Sequence, residues 1–335
     1  MNTKIHCFYY NWYANPEIDG RYFHWNHNIL PHLTDNNWNK LPPYKGRYDI
    51  GANYYPKLGC YSSSDELTIH QHFKWMREAG IGVAVITWLG GDSFEDKTFH
   101  KYLNISLEYR VKIAIHIEPH FKNCNEFKDR LKTIVDKHGN HPSLYRVNGK
   151  IMYYVYDSYR LKAYEWASIL AKDSKTSLRG TDLDGIFIGH WVFEKDDELL
   201  LNGCFDGFYT YFASEGFTFG STISNWFKMS KFAKKHNMLF IPSVGPGYID
   251  TRIRPWNVIN NKSREDGIYY DRMFFAAISV KPDYISITSF NEWHEGTQIE
   301  PAIPADIPTY TYENYGELEP EFYLKRTKFW SDKLV

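Results

Sequence analysis

Short apolar runs recur along the whole chain, each followed by turn residues and then by a helix-like pattern. There are eight such runs, at 5–13, 82–88, 111–118, 150–157, 185–190, 207–212, 238–244 and 284–293. Most are nearly continuous in hydrophobic character, which is typical of parallel strands that are buried on both faces. The pattern therefore predicts a parallel sheet and not an antiparallel one.

Helical patterns fill the intervals, around 65–80, 97–109, 125–138, 160–173, 195–203, 222–237, 267–280 and 320–333. Eightfold strand–helix alternation predicts an α/β fold, a single (β/α)8 TIM barrel over 1–335 with long loops at its C-terminal face. A doubly wound open sheet shows the same alternation, but the count of eight and the lack of a GxGxxG motif after the first strand favour the barrel. The connection 14–64 is predicted to be a functional loop on that face.

Composition excludes several classes of function. A net charge of −1 provides no electrostatic footprint for nucleic acid or an anionic membrane, so neither is expected as a partner. The four cysteines lack CxxC spacing, and no apolar run reaches the length of a membrane span. A strand-like run begins near residue 4, so we expect no signal peptide or transmembrane segment in this chain. Aromatic residues make up 18% of it, which suits a sugar-binding cleft.

Polar residues at the carboxyl ends of barrel strands are the candidates for catalysis. Glu292 and Glu295 stand three residues apart where the eighth strand ends. Two carboxylates at one site suit glycosidic cleavage, in which one protonates the leaving oxygen and the other acts as a base. The alternative interpretation is a salt bridge or a loop hydrogen bond at the rim.

Other strand ends carry residue types that hold sugars. Glu118 and Asp157 can accept hydrogen bonds from hydroxyl groups, although each can instead orient a neighbouring side chain. Trp88 and Trp293 can stack on a pyranose or simply pack in the core. Histidines are frequent near these ends, but neither an HxH on the first strand nor an HExxH is present, so we expect no metal and no cofactor.

Longer motifs resemble those of glycoside hydrolase family 99, the endo-α-1,2-mannosidases. The resemblance covers nearly the whole chain. Its carriers are FYYNWYANP at 8–16, HWNH at 24–27, HIEP at 116–119, YVYDSY at 154–159, FDGFYTYF at 205–212, IPSVGPGY at 241–248 and ISITSFNEWHEGTQIE at 285–300. The last of these is highly specific.

This resemblance implies hydrolysis of an internal α-1,2-mannosidic bond with retention, through a 1,2-anhydro sugar. Glu292 would take the proton of the sugar 2-OH, and Glu295 would protonate the leaving oxygen and then activate water. Together with the residue-level interpretation, it implies these substrate contacts: Tyr10, Trp88, His116, Glu118, Tyr156, Asp157, Tyr209, Tyr211, Asn291, Trp293 and His294. The expected substrate is a glucosylated high-mannose N-glycan, with release of glucosyl-α-1,3-mannose.

Two departures from the family pattern matter. Relatives place an aromatic residue at the position of Leu89, where it meets the sugar beyond the cleavage point, so the preference for glucose or mannose there stays open. Animal relatives also carry an N-terminal Golgi anchor and stem, which we do not expect in this chain. The resemblance implies the Golgi lumen, with secretion as the alternative. A mannan-cleaving enzyme and a sugar-binding barrel without catalysis remain alternative functions.

Overall fold

The computed structural model describes residues 2–32 and 44–334. Within the described ranges, eight parallel strand positions form the barrel sheet, and they confirm the predicted (β/α)8 barrel. The short strand Arg146–Val147 adds antiparallel pairing to the fourth of them. The barrel strands are β1 (Ile5–Tyr9), β2 (Val83–Trp88), β3 (Lys112–Ile117), β4 (Lys150–Val155), β5 (Gly185–His190), β6 (Gly207–Tyr209), β7 (Leu239–Ile241, continued by Ser243–Val244) and β8 (Ile285–Ile287). The prediction of one domain over 1–335 includes residues outside the described ranges and stays a prediction.

A helix follows each strand. The barrel helices are α1 (Glu66–Glu78), α2 (Phe94–Tyr109), α3 (Cys124–His138), α4 (Ala163–Leu170), α5 (Asp196–Asn202), α6 (Trp226–His236), α7 (Ile268–Ser279) and α8 (Phe322–Ser331), and a further four-residue helix, Pro16–Asp19, lies in the connection after β1. Their starts follow local capping chemistry: the side chains of Asp65, Ser93 and Asn123 accept backbone N–H bonds at the first turns of α1, α2 and α3. Within the described ranges, none of the helices combines the length and apolar character that a membrane crossing requires.

The ring closes through β7, which is broken at Pro242. Its first half pairs with β6 and its second half pairs with β8, which in turn pairs with β1. Beyond the break, side chains replace the ladder between β6 and β7. The Ser243 N–H donates to Thr210 Oγ1 at 2.9 Å, and the Tyr211 N–H donates to Ser243 Oγ at 2.7 Å. These bonds fix the Tyr211 backbone at the mouth of the barrel.

Three strands end three or more residues before their predicted ends. The first was expected to reach Tyr13 and ends at Tyr9, the sixth ends at Tyr209, and the eighth ends at Ile287. A side-chain amide takes over from the ladder: Asn291 accepts from the Tyr10 N–H at 2.7 Å and donates to the Tyr10 carbonyl at 2.8 Å. The upper ends of β1 and β8 are therefore joined by side chains and loops, which frees polar residues to face the mouth.

The connection between β1 and α1 covers the C-terminal face, as its length predicts, although its residues 33–43 lie outside the described ranges. Trp25 anchors it, since this ring is fully buried, stacks on Tyr13 at 4.2 Å and donates from Nε1 to the Tyr61 carbonyl at 2.8 Å. All four cysteines carry free thiols, in keeping with their scattered spacing.

Candidate active site

The carboxyl ends of the strands surround a pocket of about 160 Å³. Its lining side chains come from the ends of β1, β3, β4, β6, β7 and β8 or from the loops that follow them. They are Tyr10, Trp12, His24, His27, His116, Glu118, Tyr156, Tyr211, Ile253, Arg254, Glu292, His294 and Glu295. Both predicted catalytic glutamates and six of the predicted contacts are among them.

Glu292 and Glu295 lie on a short 3₁₀ turn that follows β8; residues 292–295 are called the acidic turn below. Glu292 caps this turn, because its Oε1 accepts the His294 N–H at 3.1 Å, while its own N–H donates to Ser289 Oγ at 2.7 Å. Glu295 contacts Arg254, with Oε1 at 3.5 Å from Nη1. Hydrogen bonds and the tight turn hold both carboxyl groups toward the pocket.

Burial and mutual repulsion govern the protonation of this pair. Burial raises the pKa of Glu292 well above its usual range, and the charge of Glu295 adds to that effect. Burial also raises the pKa of Glu295, although Arg254 opposes the rise. Two interacting carboxyl groups titrate as a pair, so their protonation belongs to the pair and not to either residue alone.

The β3 wall, defined here as His116 and Glu118, forms another side of the pocket. Glu118 Oε1 accepts from Thr87 Oγ1 at 3.3 Å and lies 3.5 Å from His116 Nδ1. Burial raises the pKa of Glu118 to about 8 and lowers the pKa of His116 to about 3. At neutral pH this wall therefore offers a protonated carboxyl group and a neutral imidazole.

Three tyrosines extend the wall on the β1, β4 and β6 sides. The hydroxyl groups of Tyr10 and Tyr211 bond each other, and the rings of Tyr156 and Tyr211 meet edge-on at 4.9 Å. Tyr209 lies one layer deeper, where its hydroxyl group bonds His116 Nε2 at 3.0 Å. Of the predicted tyrosine contacts, Tyr209 thus supports the β3 wall without lining the pocket.

Four other predicted contacts do not line the pocket. Trp88 is fully buried and donates to Asp96 Oδ1 at 3.1 Å, and Trp293 is fully buried and donates to Glu300 Oε2 at 3.0 Å. The Asn291 side chain is hydrogen-bonded to the Tyr10 backbone just beyond β1. Asp157 contacts Arg160 Nε at 3.1 Å, and although burial opposes the change, its pKa is lowered by His190 and Arg160.

The structure adds five pocket residues that were not predicted as contacts: Trp12, His24, His27, Ile253 and Arg254. Trp12 and His24 stack in parallel at 4.4 Å, and the His27 and His294 rings lie 4.7 Å apart. Motifs of the first loop contain the first three residues, which was an available signal. Arg254 stands four residues after Asp250 in a loop without periodicity. That spacing of opposite charges is the only sequence signal for its place in the pocket.

Two histidines of this cluster, His24 and His294, are neutral at ordinary pH. Burial lowers the pKa of His24 to about 3 and the pKa of His294 well below its usual range. In the described part of the chain, no group of three or more His, Cys, Asp or Glu side chains is arranged to hold a metal ion. The prediction that catalysis uses no metal stays a prediction.

Paired buried carboxyl groups in a ring of tyrosines, histidines and one arginine at a barrel mouth are suited to acid–base chemistry on a polyhydroxylated substrate. The profile of Glycosyl hydrolase family 99 matches residues 1–335. The chain belongs to glycosyl hydrolase family 99. It is a glycoside hydrolase, and its substrate is a carbohydrate.

Relatives and solved structures agree with this assignment. The chain is 44% identical over 349 residues to a glycoprotein endo-alpha-1,2-mannosidase of Rattus norvegicus, covering 99% of this chain and 75% of the relative. It is 41% identical over 350 residues to a glycoprotein endo-alpha-1,2-mannosidase-like protein of Homo sapiens, covering 99% and 76%. The solved family 99 endo-alpha-mannosidase from Bacteroides thetaiotaomicron superposes with a TM-score of 0.96 at 43% identity, covering 100% and 98%.

Proposed function

We propose that this family 99 hydrolase cleaves an internal α-1,2-mannosidic bond with retention of configuration. The observation that carries the proposal is the acidic turn, which holds Glu292 and Glu295 in one pocket, where burial raises the pKa of both. The relatives named as endo-α-mannosidases support the choice of bond. A binding protein without catalysis has no need for two carboxyl groups that destabilise each other.

The proposed first step forms a 1,2-anhydro sugar. Glu292 removes the proton from the 2-hydroxyl group while that oxygen attacks C1. The bond between C1 and the glycosidic oxygen breaks, and Glu295 gives its proton to the departing oxygen. The proton count is conserved, because one carboxyl group gains the proton that the substrate loses and the other supplies the leaving group.

The proposed second step reverses these roles. Glu295, now a carboxylate, takes a proton from water as that water attacks C1, and Glu292 returns its proton to O2 as the three-membered ring opens. Two inversions at C1 give net retention. The neutral donors of the β3 wall and the tyrosine hydroxyl groups are placed to hold the sugar hydroxyl groups during both steps.

We propose glucosyl-α-1,3-mannose from a glucosylated high-mannose N-glycan as the product, with mannan as the alternative substrate. Leu89 is half-buried at the end of β2 and offers no flat ring for the sugar beyond the cleavage point. Specificity for glucose or mannose at that position then depends on other contacts.

Product analysis tests these assignments. The protein is incubated separately with monoglucosylated high-mannose glycan and with α-1,2-branched mannan, in buffer with and without EDTA. Glucosyl-mannose from the first substrate supports the proposal. Release of mannobiose from mannan alone would instead identify the protein as a mannan-cleaving enzyme. If neither substrate gives a product while the folded protein binds sugar measurably, the protein is a sugar-binding barrel without catalysis. Loss of product in EDTA contradicts the metal-free mechanism.

The two substrates also imply two compartments. An N-glycan substrate fits the Golgi lumen, which we propose on the relatives' names as glycoprotein endomannosidases, and mannan fits the cell exterior. Fractionation of the source cells with an antibody against this chain distinguishes them.

A further inference from the structure

The loop after β7 carries a buried carboxylate that the proposed mechanism does not use. Asp250 is fully buried. Its Oδ2 accepts three bonds: from the Tyr248 hydroxyl group at 2.8 Å, from Asn257 Nδ2 at 2.9 Å and from Arg254 Nη1 at 2.9 Å. A buried carboxylate with this many donors is held firmly in place, because each donor offsets part of its lost hydration.

The same guanidinium nitrogen is shared with the acidic turn. Arg254 Nη1 lies 2.9 Å from Asp250 but 3.5 Å from Glu295 Oε1, so the closer ion pair is the one with Asp250. A backbone hydrogen bond connects the loop after β7 to the acidic turn, because the Ile249 N–H donates to the Glu295 carbonyl at 2.9 Å. Arg254 is therefore fixed between two carboxyl groups and favours the one that is not in the reaction.

This sharing has a chemical consequence. A cation beside a carboxyl group favours its ionised form, so an Arg254 that paired fully with Glu295 would strip Glu295 of the proton that a general acid needs. A guanidinium that is already neutralised by a closer carboxylate exerts a much weaker pull. Burial raises the pKa of Glu295 and Arg254 lowers it, while the charge of Asp250 also raises it directly.

We propose that Asp250 is a positioning residue that draws Arg254 away from Glu295 and so lets Glu295 carry the proton used to expel the leaving group. The assignment of Glu295 as the acid rests on the proposed function. The contact geometry between the three side chains does not.

Other ionisable groups also face this triad and set its baseline. Among the described residues that line the pocket, Arg254 carries the one permanent positive charge, because burial lowers the pKa of the four lining histidines, His24, His27, His116 and His294. The acidic or phenolic groups around Glu295 and Arg254 are Glu118, Glu292, Tyr10, Tyr156, Tyr211 and Tyr248.

A carboxyl ¹³C NMR titration measures the effect without relying on activity. The Glu295 signal is assigned by its loss in Glu295→Gln and followed in the wild-type protein and in Asp250→Asn. We expect the pKa of Glu295 to fall by about one pH unit in Asp250→Asn. The alkaline limb of the kcat/KM profile should fall by the same amount. An unchanged titration would overturn the proposal, and Asp184→Asn is the control, since Asp184 pairs with Lys150 and Arg179 beside the start of β5.

A double-mutant cycle keeps the test valid if Asp250→Asn does not fold. Arg254→Gln should raise the pKa of Glu295, and adding Asp250→Asn to it should shift that value less than in the wild-type background, because no guanidinium is left to be shared and only the direct charge effect of Asp250 remains. A shift as large as in the wild-type background would show that Asp250 acts on Glu295 only directly and not through Arg254, which contradicts the proposal. If the wild-type protein releases no product from any mannoside, the proposed function fails while the titration still decides the role of Asp250.

Discussion

The acidic turn after β8 and the β3 wall place glutamates in the same pocket, but in different electrostatic surroundings. Glu295 has a permanent cation at 3.5 Å, whereas Glu118 has a threonine hydroxyl group at 3.3 Å and a neutral imidazole at 3.5 Å. Burial acts on both. Without a cation it raises the pKa of Glu118 to about 8, which makes this carboxyl group a steady hydrogen-bond donor.

The difference shows what separates a binding carboxyl group from a catalytic one. A group that must give up and regain a proton in each turnover needs opposing influences on its pKa, as Glu295 has from burial and from Arg254. A group that only holds a hydroxyl group can remain in one state. The comparison therefore predicts that replacing a glutamate by glutamine reduces activity strongly at the acidic turn and only slightly at the β3 wall.

The largest expected effect is at the acidic turn. Glu292→Gln and Glu295→Gln should each reduce kcat by about 10²- to 10⁴-fold with the fold intact, because an amide neither donates nor accepts the required proton. Steady-state kinetics on the substrate identified by product analysis measures this, with the exposed Glu108→Gln on α2 as a control.

A substrate with an activated leaving group separates the two roles. Such a leaving group departs without protonation, so Glu295→Gln should recover much of its loss on that substrate while Glu292→Gln should not. Equal recovery by both variants, or near wild-type rates of either on the natural substrate, would refute the assigned roles.

The eight strand positions were predictable because each is a run buried on both faces, a signal that is local to the sequence. Strand ends were not, because distant side chains set them: the Asn291 amide ends the pairing of β1, and Ser243 with Thr210 replaces the ladder above Pro242. No window of sequence around Tyr10 contains the residue that binds its backbone.

Side-chain direction explains which strand-end contacts reach the pocket. Alternate residues of a strand point to opposite faces, and the inward set here is Phe8 with Tyr10, His116 with Glu118, and Tyr209 with Tyr211. The rings of Phe8 and His116 meet inside the barrel at 4.8 Å. Trp88 follows the inward Thr87 and therefore packs outward against α2. Applying this parity from one known inward residue would have excluded Trp88.

At the β3 wall, the comparison predicts a much smaller response to the same substitution. Glu118→Gln resembles the neutral carboxyl group that this site holds below about pH 8, so kcat/KM near pH 6 should fall less than about 10-fold. Glu118→Ala removes the donor altogether and should cost about 10- to 100-fold, the equivalent of one hydrogen bond to substrate. Initial rates at low substrate concentration measure both, and a Gln variant as inactive as the Ala variant would show that Glu118 works as a carboxylate.

The smallest expected effect concerns stability and tests the β3 wall without substrate. The folded protein holds the Glu118 proton up to about pH 8, whereas the unfolded chain releases it near pH 4.3. Between those values the folded state binds more protons, so the free energy of unfolding of the wild-type protein falls as pH rises. Glu118→Gln has no carboxyl group at this position, so its free energy of unfolding does not fall for this reason.

We therefore expect Glu118→Gln to match the wild-type protein in urea unfolding near pH 5 and to exceed its stability near pH 8 by at least about 1.4 kcal/mol, the equivalent of one pKa unit. Glu317→Gln, at an exposed position, should show no such divergence with pH. If Glu118→Gln and the wild-type protein keep a constant difference across this range, Glu118 is ionised in the folded protein. The β3 wall would then need a positive partner, as the acidic turn has in Arg254, and the contrast between the two sides of the pocket would disappear.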